Sequence, residues 1–453
     1  MDRTPPQSRR KFLNSLAAGA LAGGATPKFL STRERNHIHT LARQKYQSAN
    51  DQIQLAVIGA GGMGMADVET ALSIPGVRLV AVADCFDGRL AAAHENYGQD
   101  LFATRDYREV LARDDVDAVI CATPDHWHKR ISVEALTAGK SVYCEKPMVH
   151  SIAQGADVVK AQNESGKTFQ VGSQGMSSLG NEKAKELLAA GEIGELNYAE
   201  GFWARNDPIG AWQYAIPENA TEKTIDWEMF LGDAPRKPYD PLRIFRWRNY
   251  RDYGTGVSGD LFVHLFSSLH FITSSVGPRK IMAQGGLRYW KDGREVPDIL
   301  LGMFDYPETE AHPPFNLSLR VNFVDGTSGT TFLRLVGSEG AMDVTWTEVV
   351  LRRNKAVSPT DVFNQRKADE MDQGVEARKQ MLPPAESIFM VEDGYMGAHF
   401  DHFMNFFRGV RDGRPVNEDA EFGLRAAAPA LACNDSYFGD QIVAWDPEMM
   451  EVI

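Results

Sequence analysis

Cysteine is scarce in this sequence: Cys85, Cys121, Cys144 and Cys433 are the four among 453 residues, and none forms a C-x-x-C pair. That excludes a disulfide scaffold and the usual zinc spacings. Three of the four fall in or just after strand-like runs, where cysteine serves as a small core hydrophobe. Positive charge is also short. The formal net charge is −13, yet residues 1–50 hold nine Lys or Arg against two Asp or Glu (+7), which leaves −20 on residues 51–453. So acidic a body is a poor partner for nucleic acid or an anionic membrane. No later run approaches the roughly 20 apolar residues that span a bilayer, so stable membrane insertion is not expected. There is no G-x-S-x-G and no cysteine beside an obvious base, so nucleophilic catalysis lacks its parts. Internal repeats and low-complexity stretches are absent too.

What is present begins with SRRKFLNSLAAGALAGGA, residues 8–25. Arg9 and Arg10 precede Lys11-Phe12-Leu13 and a short run of small residues, weakened as a helix by Gly19, Gly23 and Gly24. The pattern resembles a twin-arginine (Tat) signal, which exports proteins already folded. Residues 26–50 are polar and basic. Residues 1–50 are therefore expected to be signal and linker, the destination periplasmic or otherwise exported, and the Tat machinery a partner. Folding before export also predicts four free thiols.

The second signal is a dinucleotide fingerprint. IQLAVI runs into GAGGMG (Gly59, Gly61, Gly62, Met63, Gly64), a helix-compatible stretch follows, and a second apolar strand ends at Asp84, 20 residues beyond Gly64. Glycines let the backbone approach a pyrophosphate at a helix N-terminus, and the acid takes the ribose hydroxyls. A carboxylate at Asp84 repels a 2′-phosphate, so NAD is expected over NADP, although Arg89 stands nearby. DAVICATP and SVYCEKP continue the strand–helix alternation, which implies a doubly wound parallel sheet. Two polar clusters fall at strand ends, where such sheets bind ligands: Thr123-Pro124-Asp125-His126-Trp127-His128 and Glu145-Lys146-Pro147. In the first, Asp125 suits a helix cap, and Thr123, Pro124 and His128 a contact with the nicotinamide half. His126 and His128 have no third ligand nearby in sequence, so no metal is expected.

GAGGMG, the strand ending in VAD, ATPDHWH and above all CEKP resemble the Gfo/Idh/MocA family of oxidoreductases over essentially all of residues 51–453. The resemblance implies a Rossmann domain (51–172) and a substrate and oligomerisation domain (173–453) built on a large, open, mainly antiparallel sheet. It also implies that Lys146 stands over nicotinamide and substrate, that Glu145 lines the cofactor side, and that the Lys146–Pro147 bond is cis.

The second half reads the same way on its own residues. Phe315, Leu317, Leu319, Val321 and Phe323 alternate with polar partners, as do Met342, Val344 and Trp346, the mark of half-buried strands. An exposed face of such a sheet offers a homo-oligomer interface. GVSGDLFVHLFSSLHFITS, read as a helix, sets Asp260 and His264 four residues apart on one face. A helix-capping Asp260 and a core His264 would explain them equally. The resemblance assigns both to the active site; His264, whose unperturbed pKa lies near neutrality, is then the expected base, Asp260 orients it or holds a hydroxyl, and Lys146 stabilises charge or shares the proton. Residues 202–253 are dense in aromatics and arginines, of which Trp203, Arg205, Arg246, Trp247 and Tyr253 are the substrate candidates, suited to a carbohydrate.

The expected function is thus NAD-linked oxidation of a sugar or glycoside hydroxyl. Export leaves no cofactor pool outside, so very tight NAD binding is expected with it. The same residues suit a glycoside hydrolase working by transient oxidation, elimination and re-reduction. A non-catalytic sugar-binding protein fits an intact Lys146, Asp260 and His264 poorly.

Overall fold

The computed structural model describes residues 52–326, 330–353 and 385–453; the expected signal and linker lie outside them. Six strands, β1 (Ile53–Ile58), β2 (Val77–Ala83), β3 (Phe102–Thr104), β4 (Ala118–Cys121), β5 (Ser141–Glu145) and β6 (Phe169–Gly172), form one sheet in the order β3-β2-β1-β4-β5-β6. All its pairs are parallel. The central strands β1, β4 and β5 are buried on both faces, which is why they read as continuous apolar runs rather than alternating ones. Chain order reverses between β1 and β4. The loops after those strands, Gly59–Gly61 and Ala122–Pro124, therefore flank the crevice where such sheets bind ligands.

The second sheet has ten strands, in the order β14 (Ala385–Met390), β13 (Glu348–Arg353), β12 (Gly340–Val344), β11 (Thr331–Gly337), β7 (Leu196–Ala204), β10 (Phe315–Asn322), β9 (Ile299–Tyr306), β8 (Lys280–Gly286), β15 (Val443–Asp446) and β16 (Glu451–Val452). Its centre is β7 (Leu196–Ala204), parallel to β10 (Phe315–Asn322) and antiparallel to β11 (Thr331–Gly337). The remaining pairs are antiparallel. Strand β10 buries Phe315, Leu317, Leu319 and Val321 and turns the intervening side chains outward, as its alternation requires. Along β9 (Ile299–Tyr306), Leu300 is buried while Leu301 and Met303 are about half exposed.

Helices tie the two sheets together. Helix α1 (Gly62–Leu72) follows β1, and α2 (His128–Thr137) follows β4. Helix α3 (Val263–Thr273) packs against α5 (Ala420–Gly439), whose neighbours also include β6 and the second-sheet strand β8 (Lys280–Gly286). Helix α4 (Ala398–Asp412) returns to the first sheet: its Phe400, Phe403, Phe406 and Phe407 share a core with Ile53, Leu55 and Val57. Phe403 stacks on Tyr143 with ring centroids 4.2 Å apart. Among the described residues no helix is long and apolar enough to cross a membrane. All four cysteines are free, three of them buried.

Candidate active site

A cleft of about 670 Å³ runs from the tip of β1 to the second sheet. At its first end the glycine loop is shaped by close approach. Gly59 has φ +95°, and a Cβ there would lie 2.5 Å from the Ala122 carbonyl oxygen. A Cβ on Gly64 would collide with the Gly59 carbonyl, so Gly64 packs helix against strand rather than lining the cleft. Helix α1 starts at Gly62 with Gly61 as a cap lacking a side chain, and no acid sits in its first turn. Its N–H groups and positive dipole end are thus left for an anion, and Gly61, Gly62 and Met63 line the cleft. These residues fit the diphosphate of a dinucleotide.

Asp84, at the end of β2, accepts from the backbone N–H of Ala60 and of Phe86, each at 2.9 Å. Arg89 lies 3.2 Å from the same carboxylate. Arg89 is therefore an ion-pair partner of Asp84, and its guanidinium passes within 4 Å of where a Gly61 Cβ would be.

Thr123, Pro124 and His128 line the middle of the cleft. His128 Nδ1 lies 2.7 Å from the Pro147 carbonyl and Nε2 2.9 Å from that of Thr123, so both nitrogens donate. Burial opposes that charge, but Cys121, Asp125 and the two carbonyls raise its pKa above the ordinary histidine value. His128 thereby ties the ATP turn to the cis Lys146–Pro147 peptide. Cys121 and Cys144, opposite each other on β4 and β5, bring ligand atoms within 4.8 Å of His128 and of one another. His126 is not among them; its Nε2 faces the Phe230 carbonyl at 2.9 Å. With both ring nitrogens donating, His128 has no lone pair to offer a metal.

At the far end Glu145 and Lys146 diverge. Glu145 accepts from Gln174 Nε2 at 2.6 Å and shares a hydrogen bond with the buried Asp67 of α1. Burial is the largest cause raising both carboxyl pKa values, and the charge of Glu145 raises that of Asp67 further. Lys146 Nζ donates to the Asp260 carbonyl at 2.9 Å and to its Oδ1 at 2.8 Å. Arg248 Nε donates to that same Oδ1 at 3.0 Å. Burial alone would raise the Asp260 pKa, but Lys146, Arg248 and Arg205 hold it well below the usual carboxylate range.

His264 lies in the same cleft but is not oriented by Asp260, contrary to the single-helix reading. Residues Ser258–Phe262 form a π-helical turn before α3. The wider turn changes the offset between positions 260 and 264, and Asp260 gives its carboxylate to Lys146 and Arg248 instead. His264 Nδ1 is buried without a hydrogen-bond partner among the described residues, which leaves Nε2 for exchange with the cleft. Its ring stacks on Trp203 at 5.1 Å and 29°. Burial and the neighbouring Lys146 push its pKa well below the ordinary value, so the imidazole is neutral.

The substrate candidates separate. Trp203, Arg205 and Trp247 line the cleft. Tyr253 does not: it is fully buried and packs on Phe230 and His126. Arg246 supports the wall from behind, its Nε donating to the Tyr214 carbonyl at 3.0 Å. Sequence reasoning missed Asp67, Gln174, Arg248, Trp346 and His399. Arg248 stood in the arginine-rich segment, but only the fold pairs it with Asp260. His399 arrives at the start of α4, near Trp346 (6.2 Å), and no local pattern announces it.

A family model for the NAD-binding Rossmann fold of the Gfo/Idh/MocA oxidoreductases matches residues 53–173, and a second, for an oxidoreductase C-terminal alpha/beta domain, matches 199–282. The chain is 35% identical to an inositol 2-dehydrogenase of Rubrobacter xylanophilus over 39% of its own length and 51% of that protein's. It is 32% identical to a scyllo-inositol 2-dehydrogenase (NAD(+)) of Bacillus subtilis, over 33% of its length and 44% of the relative's. The chain thus spans about half the length of the curated relatives it matches. Among solved structures, levoglucosan dehydrogenase in complex with NADH and levoglucosan superposes with a TM-score of 0.63 at 16% identity, covering 87% of this chain and 99% of that one. Aldose-aldose oxidoreductase from Caulobacter crescentus gives 0.62 at 15% over the same shares. Fold and glycine loop agree with the family models, which place residues 53–173 with the Gfo/Idh/MocA NAD-binding Rossmann domains and residues 199–282 with the oxidoreductase C-terminal domains.

Proposed function

We propose that this protein oxidises a ring hydroxyl of a sugar, glycoside or cyclic polyol with NAD. One observation carries the reading: Lys146, Asp260 and His264 meet at one end of a cleft whose other end is the bare helix terminus at Gly61–Gly62. NAD held at Gly61, Gly62 and Met63 would supply the hydride acceptor for the ring carbon. Neutral His264 takes the hydroxyl proton. The Lys146 ammonium, anchored on Asp260, stabilises charge developing on the oxygen. Trp203 offers an apolar ring face beside His264. The names of the relatives, inositol and levoglucosan dehydrogenases, support a polyol or sugar substrate.

The protein is exported folded through the Tat route, and its NAD travels with it, tightly held. Two copies associate through the open face of the second sheet, where Leu301, Met303 and Met390 are exposed beside the half-buried Phe202 and Phe332. Light scattering on the purified protein checks the association.

The test of the reading is mass spectrometry of products from a glycoside panel incubated with the protein as purified. A keto-sugar with reduction of the bound nicotinamide is the expected result. Free aglycone without net reduction would assign the redox glycosidase cycle instead. Unchanged glycosides throughout would defeat the proposal.

A further inference from the structure

The substrate end of the cleft brings three cations together, and the outer edges of its two guanidinium groups have no carboxylate partner among the described residues. Lys146, Arg205 and Arg248 line it, and Asp260 is the carboxylate between them. Glu145, on the cofactor side, acts on Lys146 and Arg248 through its charge, and Asp125 acts on Arg248, but among the described residues neither forms an ion pair with a guanidinium head. His264 and His399 have lowered pKa values, both through burial, and add no negative charge. Oxidised nicotinamide is itself cationic, so loading the cofactor would add a further positive charge at this end.

The two arginines are held as if to present their heads. Arg248 is fixed at Nε by Asp260 and lies over the Trp247 ring at 4.2 Å. Its two η nitrogens have no hydrogen bond among the described residues, and its side chain is 22% exposed. Arg205 gives one η nitrogen to the Gly210 carbonyl at 2.9 Å and has no carboxylate partner among the described residues. Its charge reaches both Asp260 and His264. A neutral sugar closing the cleft would strip water from these guanidinium edges and return only hydroxyls, and cations desolvated without a counter-charge are costly.

We propose that the substrate is a sugar acid whose carboxylate docks on Arg205 and Arg248 while the hydroxyl to be oxidised faces Lys146 and His264. A planar carboxylate matches the fork of a guanidinium and gives the open edges of the two heads an anionic partner. The proposal rests on the oxidoreductase reading above but names a binding preference that can be measured apart from it.

The experiment is calorimetric titration of the NAD-loaded protein with matched ligands: methyl β-D-glucopyranosiduronate, methyl β-D-glucopyranoside and glucose 6-phosphate. The uronate should bind at least about tenfold more tightly than its neutral partner, equivalent to about 1.4 kcal/mol. Added salt should narrow the gap, and Arg205→Gln should collapse it toward one, with Arg205→Lys in between. The wild-type comparison needs no variant, so a misfolded Arg205→Gln does not blunt the test. Equal affinities, tighter binding of the neutral glycoside or of the phosphate, or no binding of the uronate would each overturn the proposal. If the uronate binds with this preference and yet no ligand reduces the nicotinamide, the anion site stands and the oxidoreductase reading falls.

Discussion

Lys146 Nζ sits 2.8 Å from Asp260 Oδ1, joining the strand end of the Rossmann sheet to a π-helical turn that begins the substrate domain's helix. The pair links the two sheets at the active site. Asp260 is fully enclosed and serves two cations, so removing its charge leaves Lys146 and Arg248 facing each other. Asp260→Ala should destabilise the protein by about 2–3 kcal/mol, below the 3–5 typical of a sealed pair because the cleft admits water. The urea midpoint at unchanged m-value measures this. Asp260→Asn, which keeps the shape, should cost less stability but still slow turnover.

Asp84 predicts cofactor choice. Its carboxylate caps two backbone N–H groups and pairs with Arg89. Asp84→Ser retains a backbone acceptor, removes the repulsion of a 2′-phosphate and frees Arg89 to bind it. The ratio of NADP to NAD affinity should rise by at least about tenfold, and adding Arg89→Ala should cancel the gain. Nucleotide titration of stripped protein gives both numbers.

Glu418 predicts a pH dependence of stability. Its side chain is wholly buried, accepts from Ser267 at 2.8 Å, and burial pushes its pKa up to about 8. An unfolded glutamate titrates near pH 4.3. The folded state therefore holds a proton that the unfolded state has lost, and the contribution is complete below about pH 4.3 and disappears as pH rises through 8. Thermal melts from pH 5 to 8 should show Glu418→Gln losing less stability over that range than the wild type. Parallel curves would contradict the assignment.

Residues 1–50 lie outside the described structure, and their role is tested in cells. Arg9→Lys with Arg10→Lys should retain the protein in the cytoplasm, folded and with nucleotide bound. Fractionation followed by nucleotide release on denaturation reads both properties. Normal export of the double variant would contradict the Tat route.

Much of this was legible locally. The strand β1, the glycine loop and Asp84 lie within one short segment, so spacing alone carried them, and the alternation along β10 announced a half-buried strand. What was not legible depends on contacts across the fold. Tyr253 shares the aromatic-rich segment with Trp247, yet it is buried while Trp247 reaches the cleft, because packing on Phe230 decides between them. Asp260 and His264 looked like an i, i+4 pair, but the π-turn and the cations at Lys146 and Arg248 claimed the carboxylate. The third neighbour of His128 came from β5, across a strand pairing that no spacing rule encodes.

The most direct test of the account is single-turnover reduction of the bound nicotinamide, followed by the absorbance of its reduced form. His264→Ala should keep its nucleotide in full, because the glycine loop and Asp84 are untouched. Its reduction rate should fall by roughly 10²–10⁴-fold, the usual worth of a positioned acid or base. Lys146→Ala should lose at least as much, and Lys146→Arg should not restore it, since a planar fork cannot replace an ammonium held between two Asp260 oxygens. A His264→Ala protein that reduces its nicotinamide at the wild-type rate would contradict the account.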